Sequence, residues 1–106
     1  MLLVDDNMNN RIIYFKILKK WNMNIKMCSS PEEALLYLDN YEFDIIILDI
    51  HMPTMDGIKL AKIIRERPEH YHIIALSSIG EIPDDKGLFD YKLTKPVKQD
   101  LLMSKL

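Results

Sequence analysis

Three aspartates stand at the ends of short apolar runs: Asp5 and Asp6 directly after Leu2-Leu3-Val4, and Asp49 directly after Ile45-Ile46-Ile47-Leu48. Brought to one place, three carboxylates repel one another unless some are protonated or a cation joins them. A ligand set made only of oxygen favours magnesium, manganese or calcium, and magnesium keeps several waters while taking one or two carboxylates and a phosphate oxygen. Two further groups follow apolar runs of the same kind. Ser77 comes after Ile73-Ile74-Ala75-Leu76, and Lys95 comes after the apolar-aromatic stretch Tyr91 to Leu93. A hydroxyl and an ammonium suit phosphoryl oxygens. The chemistry that fits is attack by a carboxylate oxygen on phosphorus, with metal and lysine spreading the charge on the transferred group. Asp49, after the central run, is the natural nucleophile.

Each residue also has a plainer reading. Asp5 and Asp6 suit a turn after a strand, Asp56-Gly57 suits a turn and helix start, Ser77 suits a strand end, and Lys95 a solvated loop. His51, His70 and His72 share no metal-ligand spacing. The site reading therefore requires that distant parts of the chain converge.

The elements that would bring them together are legible. Leu2 to Val4, Ile25 to Cys28, Ile45 to Leu48 and Ile73 to Leu76 are continuous apolar runs, the mark of strands covered on both faces. Between them lie helical patterns: Ile12, Ile13, Phe15, Ile17 and Leu18, then Ala34, Leu35 and Leu38, then Ile58, Ala61 and Ile64. Ser30, Pro31 and Glu33 form a strong start signal for the second helix, and Pro68 closes the third. Alternating βα units predict an α/β fold, a flavodoxin-like doubly wound parallel sheet of five strands in the order 2-1-3-4-5. In that order the first and third strands are neighbours at the switch point, where their carboxyl ends open into a crevice. Between Ser77 and Lys92, Gly80, Pro83, Asp84-Asp85 and Gly87 all break regular structure, so a fourth helix there is expected to be short or absent.

Bulk properties narrow the class. With 106 residues the chain is one domain, 1–106. Its 48% hydrophobic and 28% charged residues are ordinary globular values, and a formal net charge of -2 gives no sign of nucleic-acid binding or direct membrane contact. The only cysteine, Cys28, is expected to be a small core residue in a reducing compartment. The absence of a long apolar run or a signal peptide leads us to expect a cytoplasmic domain. Both ends cut into apolar segments, which suggests a piece of a longer protein.

Taken together, Val4-Asp5-Asp6-Asn7, Asp49-Ile50-His51-Met52-Pro53-Thr54-Met55-Asp56-Gly57, Ala75-Leu76-Ser77-Ser78 and Leu93-Thr94-Lys95-Pro96 resemble the response regulator receiver domains (CheY-like) of two-component signalling. The resemblance implies that Asp49 is the phosphoacceptor and that Asp6, Asp49 and the backbone carbonyl of His51 hold Mg2+, or Mn2+ in its place. Asp5 would hold a metal-bound water, Lys95 would pair with the phosphoryl group, Ser77 would swing toward it, and Ser78 would border it. It also implies a histidine kinase or a histidine phosphotransfer domain as partner. Asp5-Asp6-Asn7 followed by Asn10-Arg11, with the ending Leu93 to Gln99, looks most like receivers fused to hybrid sensor histidine kinases. Such a domain assists its own phosphorylation and dephosphorylation without being a turnover enzyme, although the parent chain would be a kinase.

Two features depart from the family pattern. The aromatic switch residue usual three positions before the lysine is replaced by Lys92, and alternation puts neighbouring Tyr91 on the opposite face. The segment between Ser77 and Lys95 is short, and its glycines and proline weaken a helix by roughly 1 to 3 kcal/mol each. That loop is expected to be mobile, and dimerisation through a fourth-helix surface is not expected. Two alternatives follow: a pseudo-receiver acting as a phosphorylation-independent interaction domain, and a small aspartyl-phosphate phosphohydrolase. The latter usually carries a second aspartate two residues after the nucleophile, where this chain has His51.

Overall fold

The computed structural model describes residues 1–50, 57–77, 87–95 and 97–106. In chain order its elements are β1 (Leu2–Val4), α1 (Met8–Lys20), β2 (Lys26–Cys28), α2 (Pro31–Asn40), β3 (Ile45–Asp49), α3 (Gly57–Arg65), β4 (His72–Ser77), β5 (Tyr91–Thr94) and α4 (Gln99–Lys105). All strand pairings are parallel, in the spatial order β2-β1-β3-β4-β5. This is the expected doubly wound order. The helix expected to be degraded and the loop expected to be mobile lie in residues 78–86, outside the described ones.

Alternation along the central strands divides the core into two layers. Leu2, Val4, Ile46, Leu48, Ile73 and Ala75 face α2 and α3, meeting Ala34, Leu38, Leu60, Ala61 and Ile64. Leu3, Ile47, Ile74, Leu76 and Leu93 face the other way, against Tyr14 and Leu18 of α1 and Leu102 of α4. Each such fully buried leucine or isoleucine contributes about 1.5–3 kcal/mol. Cys28 is a buried free thiol, as expected.

Two expectations need correction. Only β1, β3 and β4 are covered on both faces. At the edges, Lys26 of β2 and Tyr91, Lys92 and Thr94 of β5 are exposed, because an edge strand has one neighbour and the helices centre on the middle of the sheet. The buried stripe of α1 also runs through Tyr14 and Leu18, four residues apart, while Ile12 and Ile13 are exposed at 44% and 53%.

Local signals set the helix ends. Asn7 caps α1 by accepting the Asn10 N–H, and Asn22, at φ 58, ends it in the left-handed region. Ser30 caps α2 by accepting the Glu33 N–H at 3.2 Å, while the Glu33 carboxylate reaches back to the Ser29 N–H at 3.1 Å. Among the described residues, no helix is long and apolar enough to cross a membrane.

The approach to β5 matters most for the site, because β5 carries the chain to Lys95. Asp90 accepts the Ile73 N–H at 2.7 Å and an Arg65 guanidinium N–H at 3.0 Å. Arg65 donates as well to the carbonyls of Leu88 and Tyr71. Partial burial pushes the Asp90 carboxyl up, but the Ile73 N–H, the Arg65 hydrogen bond and charge, and His72 outweigh it and hold the group below its ordinary value. A carboxyl held lower in the folded than in the unfolded chain contributes stability above its unfolded value, and that contribution is lost as pH falls through the folded one. Asp90→Asn is therefore expected to cost about 1 kcal/mol at neutral pH. Its deficit relative to wild type should shrink below about pH 4, as measured by urea unfolding across pH.

Candidate functional site

Parallel register decides where the acidic groups end up. Val4 pairs with both Cys28 and Leu48, so the chain leaves β1 at Asp5 level with the end of β3 at Asp49. Asp49 in turn pairs with Leu76, which places Ser77 one residue farther along the same rim. The ladder continues past β5 through a 2.7 Å bond from the Lys95 N–H to the Ser77 carbonyl, fixing the Lys95 backbone beside β4.

The side chains converge accordingly. Carboxylate oxygens of Asp5, Asp6 and Asp49 lie within 4.8 Å of one another. The Lys95 ammonium stands 3.3 Å from Asp5 Oδ2 and 3.4 Å from Asp49 Oδ2, bridging a residue near the start of the chain and one near its middle. Ser77 is fully buried at the same rim. His51 and Ser78 lie outside the described residues.

The three aspartates are not equivalent. Asp5 is 0% exposed and every polar group it has is engaged. Its N–H donates to the Cys28 carbonyl, its carbonyl accepts from Arg11, Oδ1 accepts from the Asn7 N–H at 2.9 Å, and Oδ2 faces Lys95. Asp49 is 5% exposed, whereas Asp6 is exposed. Asp5 is thus a fixed part of the framework, and Asp6 is the accessible carboxylate. Three carboxylates against one ammonium leave an excess of two negative charges. A hard divalent cation with oxygen ligands fits that donor set.

Three contributors were not recognised from the sequence as parts of the site. Gly57 opens α3 against the end of β3, where a Cβ would lie 2.5 Å from the Asp49 carbonyl oxygen and 2.7 Å from Ile50 Cα. The Asp56-Gly57 pair signals a turn, but the close approach of two backbones needs the tertiary structure. Tyr14 stands behind the pocket; burial pushes its phenol up to about 12, and the charges of Asp5 and Asp49 push the same way, so it stays protonated. Its signal is a polar-tipped aromatic on the buried stripe of α1. Arg11 holds the Asp5 carbonyl. A groove of about 330 Å³, lined by Asn10, Ile13, Tyr14, Ile17, Lys95 and Val97, leads from Lys95 between α1 and the approach to α4. Cys28 takes no part, since burial and then Glu33 push its thiol up to about 12.

The chain as a whole is similar to known proteins. The family model of the response regulator receiver domain covers residues 1–106. The chain belongs to this family. The receiver domain is 35% identical over 85 residues, 74% of the chain, to hybrid signal transduction histidine kinase M of Dictyostelium discoideum, and it spans 4% of the length of that kinase. The response regulator TrrA of Thermotoga maritima, in a crystal structure in complex with Mg(2+)-BeF, is 30% identical, with a TM-score of 0.91 over 98% of this chain and 92% of that one. The crystal structure of histidine kinase ThkA in complex with TrrA matches at a TM-score of 0.88, 30% identity, 98% of this chain and 91% of that one. The chain is a receiver domain of two-component signalling.

The receiver's excess charge gives a direct test. Neutralising the exposed carboxylate in Asp6→Asn should stabilise the metal-free domain by roughly 1 kcal/mol, the scale of one carboxylate repulsion at this spacing in a water-like dielectric. The same change should abolish whatever rise in stability added Mg2+ produces in the unsubstituted chain. Urea unfolding with and without Mg2+ reads both effects.

Proposed function

We propose that Asp49 is the phosphoacceptor and takes its phosphoryl group from a phosphohistidine on a histidine kinase or histidine phosphotransfer domain. The observation that carries this reading is the joint approach of Asp5, Asp6, Asp49 and Lys95 at one rim of the sheet. In this reading Asp6 and Asp49 hold Mg2+, or Mn2+, and Asp5 acts through water, supported by the proximity of the three carboxylates; the His51 carbonyl, outside the described residues, would complete the ligand set. When bound, the ion supplies positive charge to the transferred group's oxygens.

In the transfer, an Asp49 carboxylate oxygen forms a bond to phosphorus as the bond between phosphorus and the imidazole nitrogen breaks. The imidazole, protonated on its other ring nitrogen, keeps the bonding electron pair and leaves as a neutral base. Lys95, already between Asp5 and Asp49, exchanges a carboxylate contact for a phosphoryl oxygen and offsets the charge gathering there. Ser77, buried at the end of β4, is placed to donate its hydroxyl to another phosphoryl oxygen and so pull on the rim once the group arrives. Tyr14 limits water on the α1 side. Ile13, exposed, lines the groove beside Lys95, and Met8 and Ile12 are further exposed apolar residues of α1; such a surface suits a helix carrying the donor histidine. The similarity to hybrid kinases supports a place for residues 1–106 within a longer chain of that type.

A second reading, the pseudo-receiver, is favoured by one observation. Lys92 pairs with Ala75 and Tyr91 with Ile74, residues that face opposite layers of the core, so Tyr91 does not take over the missing aromatic position. Incubation with Mg2+ and a small phosphoramidate donor separates the readings. Intact-mass analysis should find a gain of one phosphoryl group on wild type, none on Asp49→Asn, and none without Mg2+. No gain on wild type would favour the pseudo-receiver, and rapid multiple turnover would favour the phosphohydrolase.

A further inference from the structure

We propose that Arg11 is a positioning residue for the metal site, fixing the turn that presents Asp5 and Asp6. This role rests on the metal-site reading above. Arg11 lies in α1 just past the cap, and its Nη1 donates to the Asp5 carbonyl at 2.7 Å, six residues back. That carbonyl precedes the helix, so no helical N–H reaches it, and Asp5 is 0% exposed, so water does not either. A buried carbonyl needs a partner, and Arg11 supplies it.

The consequence follows from peptide geometry. The Asp5 carbonyl shares a rigid plane with the Asp6 nitrogen. Holding its oxygen sets the rotation of that plane and hence the direction in which the exposed Asp6 side chain leaves the backbone. The same turn is pinned by the Asn7 N–H on Asp5 Oδ1, by the Asn7 side chain on the Asn10 N–H, and by the Arg11 N–H on the Asn7 carbonyl. Arg11 closes this set from the helix side. Its charge also reaches the end of β2, where it opposes the upward push on Cys28.

Positioning and charge make opposite demands here. A guanidinium held on the Asp5 carbonyl adds positive charge next to the Asp5–Asp6 pair, so as a bystander charge its removal would tighten metal binding. As a positioning group, its removal frees the Asp5–Asp6 plane and weakens metal binding even though a positive charge is lost. The experiment is Mg2+ titration by isothermal calorimetry of the 106-residue chain, comparing wild type, Arg11→Gln and Arg11→Lys, with folding checked by circular dichroism. We expect both variants to bind Mg2+ about tenfold more weakly, as is usual when a group orienting a metal ligand is lost. The deficit should persist at high salt, which screens charge effects but not loss of a hydrogen bond. Lysine keeps the charge but not the planar fork, and it decides the matter alone if Arg11→Gln fails to fold. Equal or tighter binding in a folded variant overturns the role. A wild-type chain that takes up no Mg2+ overturns the metal-site reading and this role with it.

Discussion

A single ammonium, that of Lys95, stands between two buried carboxylates that reach it from the start and the middle of the chain. Its 3.3 and 3.4 Å contacts with Asp5 and Asp49 exist only because β1, β3, β4 and β5 run parallel and end at one rim. Burying charges is costly, and a buried pair seldom repays the cost in stability alone. The core of leucine and isoleucine supplies the stability that lets such a cluster persist. The excess of negative charge makes the rim fit a divalent cation, on which the proposed phosphoryl transfer rests.

The rim combines rigidity with access. Asp5 is immobilised through all of its polar groups, Gly57 lets α3 start against the Asp49 carbonyl, and the Lys95 backbone is tied to Ser77. Asp6 remains exposed. A fixed framework around one accessible carboxylate allows a ligand to bind without rebuilding the fold.

The β5 edge is where this receiver differs from its family's pattern. Tyr91 lies on the layer of α1 and α4, where its ring meets His72 edge-on with centroids 5.5 Å apart and carries the Lys105 ammonium over its face. Lys92 lies on the other layer. A ring on the wrong side of a sheet has no path to follow a serine hydroxyl at the rim, so the usual pairing of hydroxyl and aromatic movement is not built into this edge. On the proposed reading, a response to phosphorylation would pass through Ser77 and Lys95.

Much was determined by the sequence itself. Unbroken apolar runs named the central strands, Ser30 and Pro31 named a helix start, and the alternation of strand and helix set a parallel order. That order alone predicts that Asp5, Asp6, Asp49, Ser77 and Lys95 meet, because parallel strands place all their carboxyl ends on one side. Only the tertiary structure decided which apolar residues are buried. Ile12 and Ile13 read as core and are exposed, while Tyr14 is inside, because a helix has apolar residues to spare and the sheet selects the face. The same holds for the approach of Gly57 to Asp49 and for Arg11 on the Asp5 carbonyl. The first depends on a distance between two backbones and the second on a side chain folding back over the preceding turn, and the apolar pattern encodes neither.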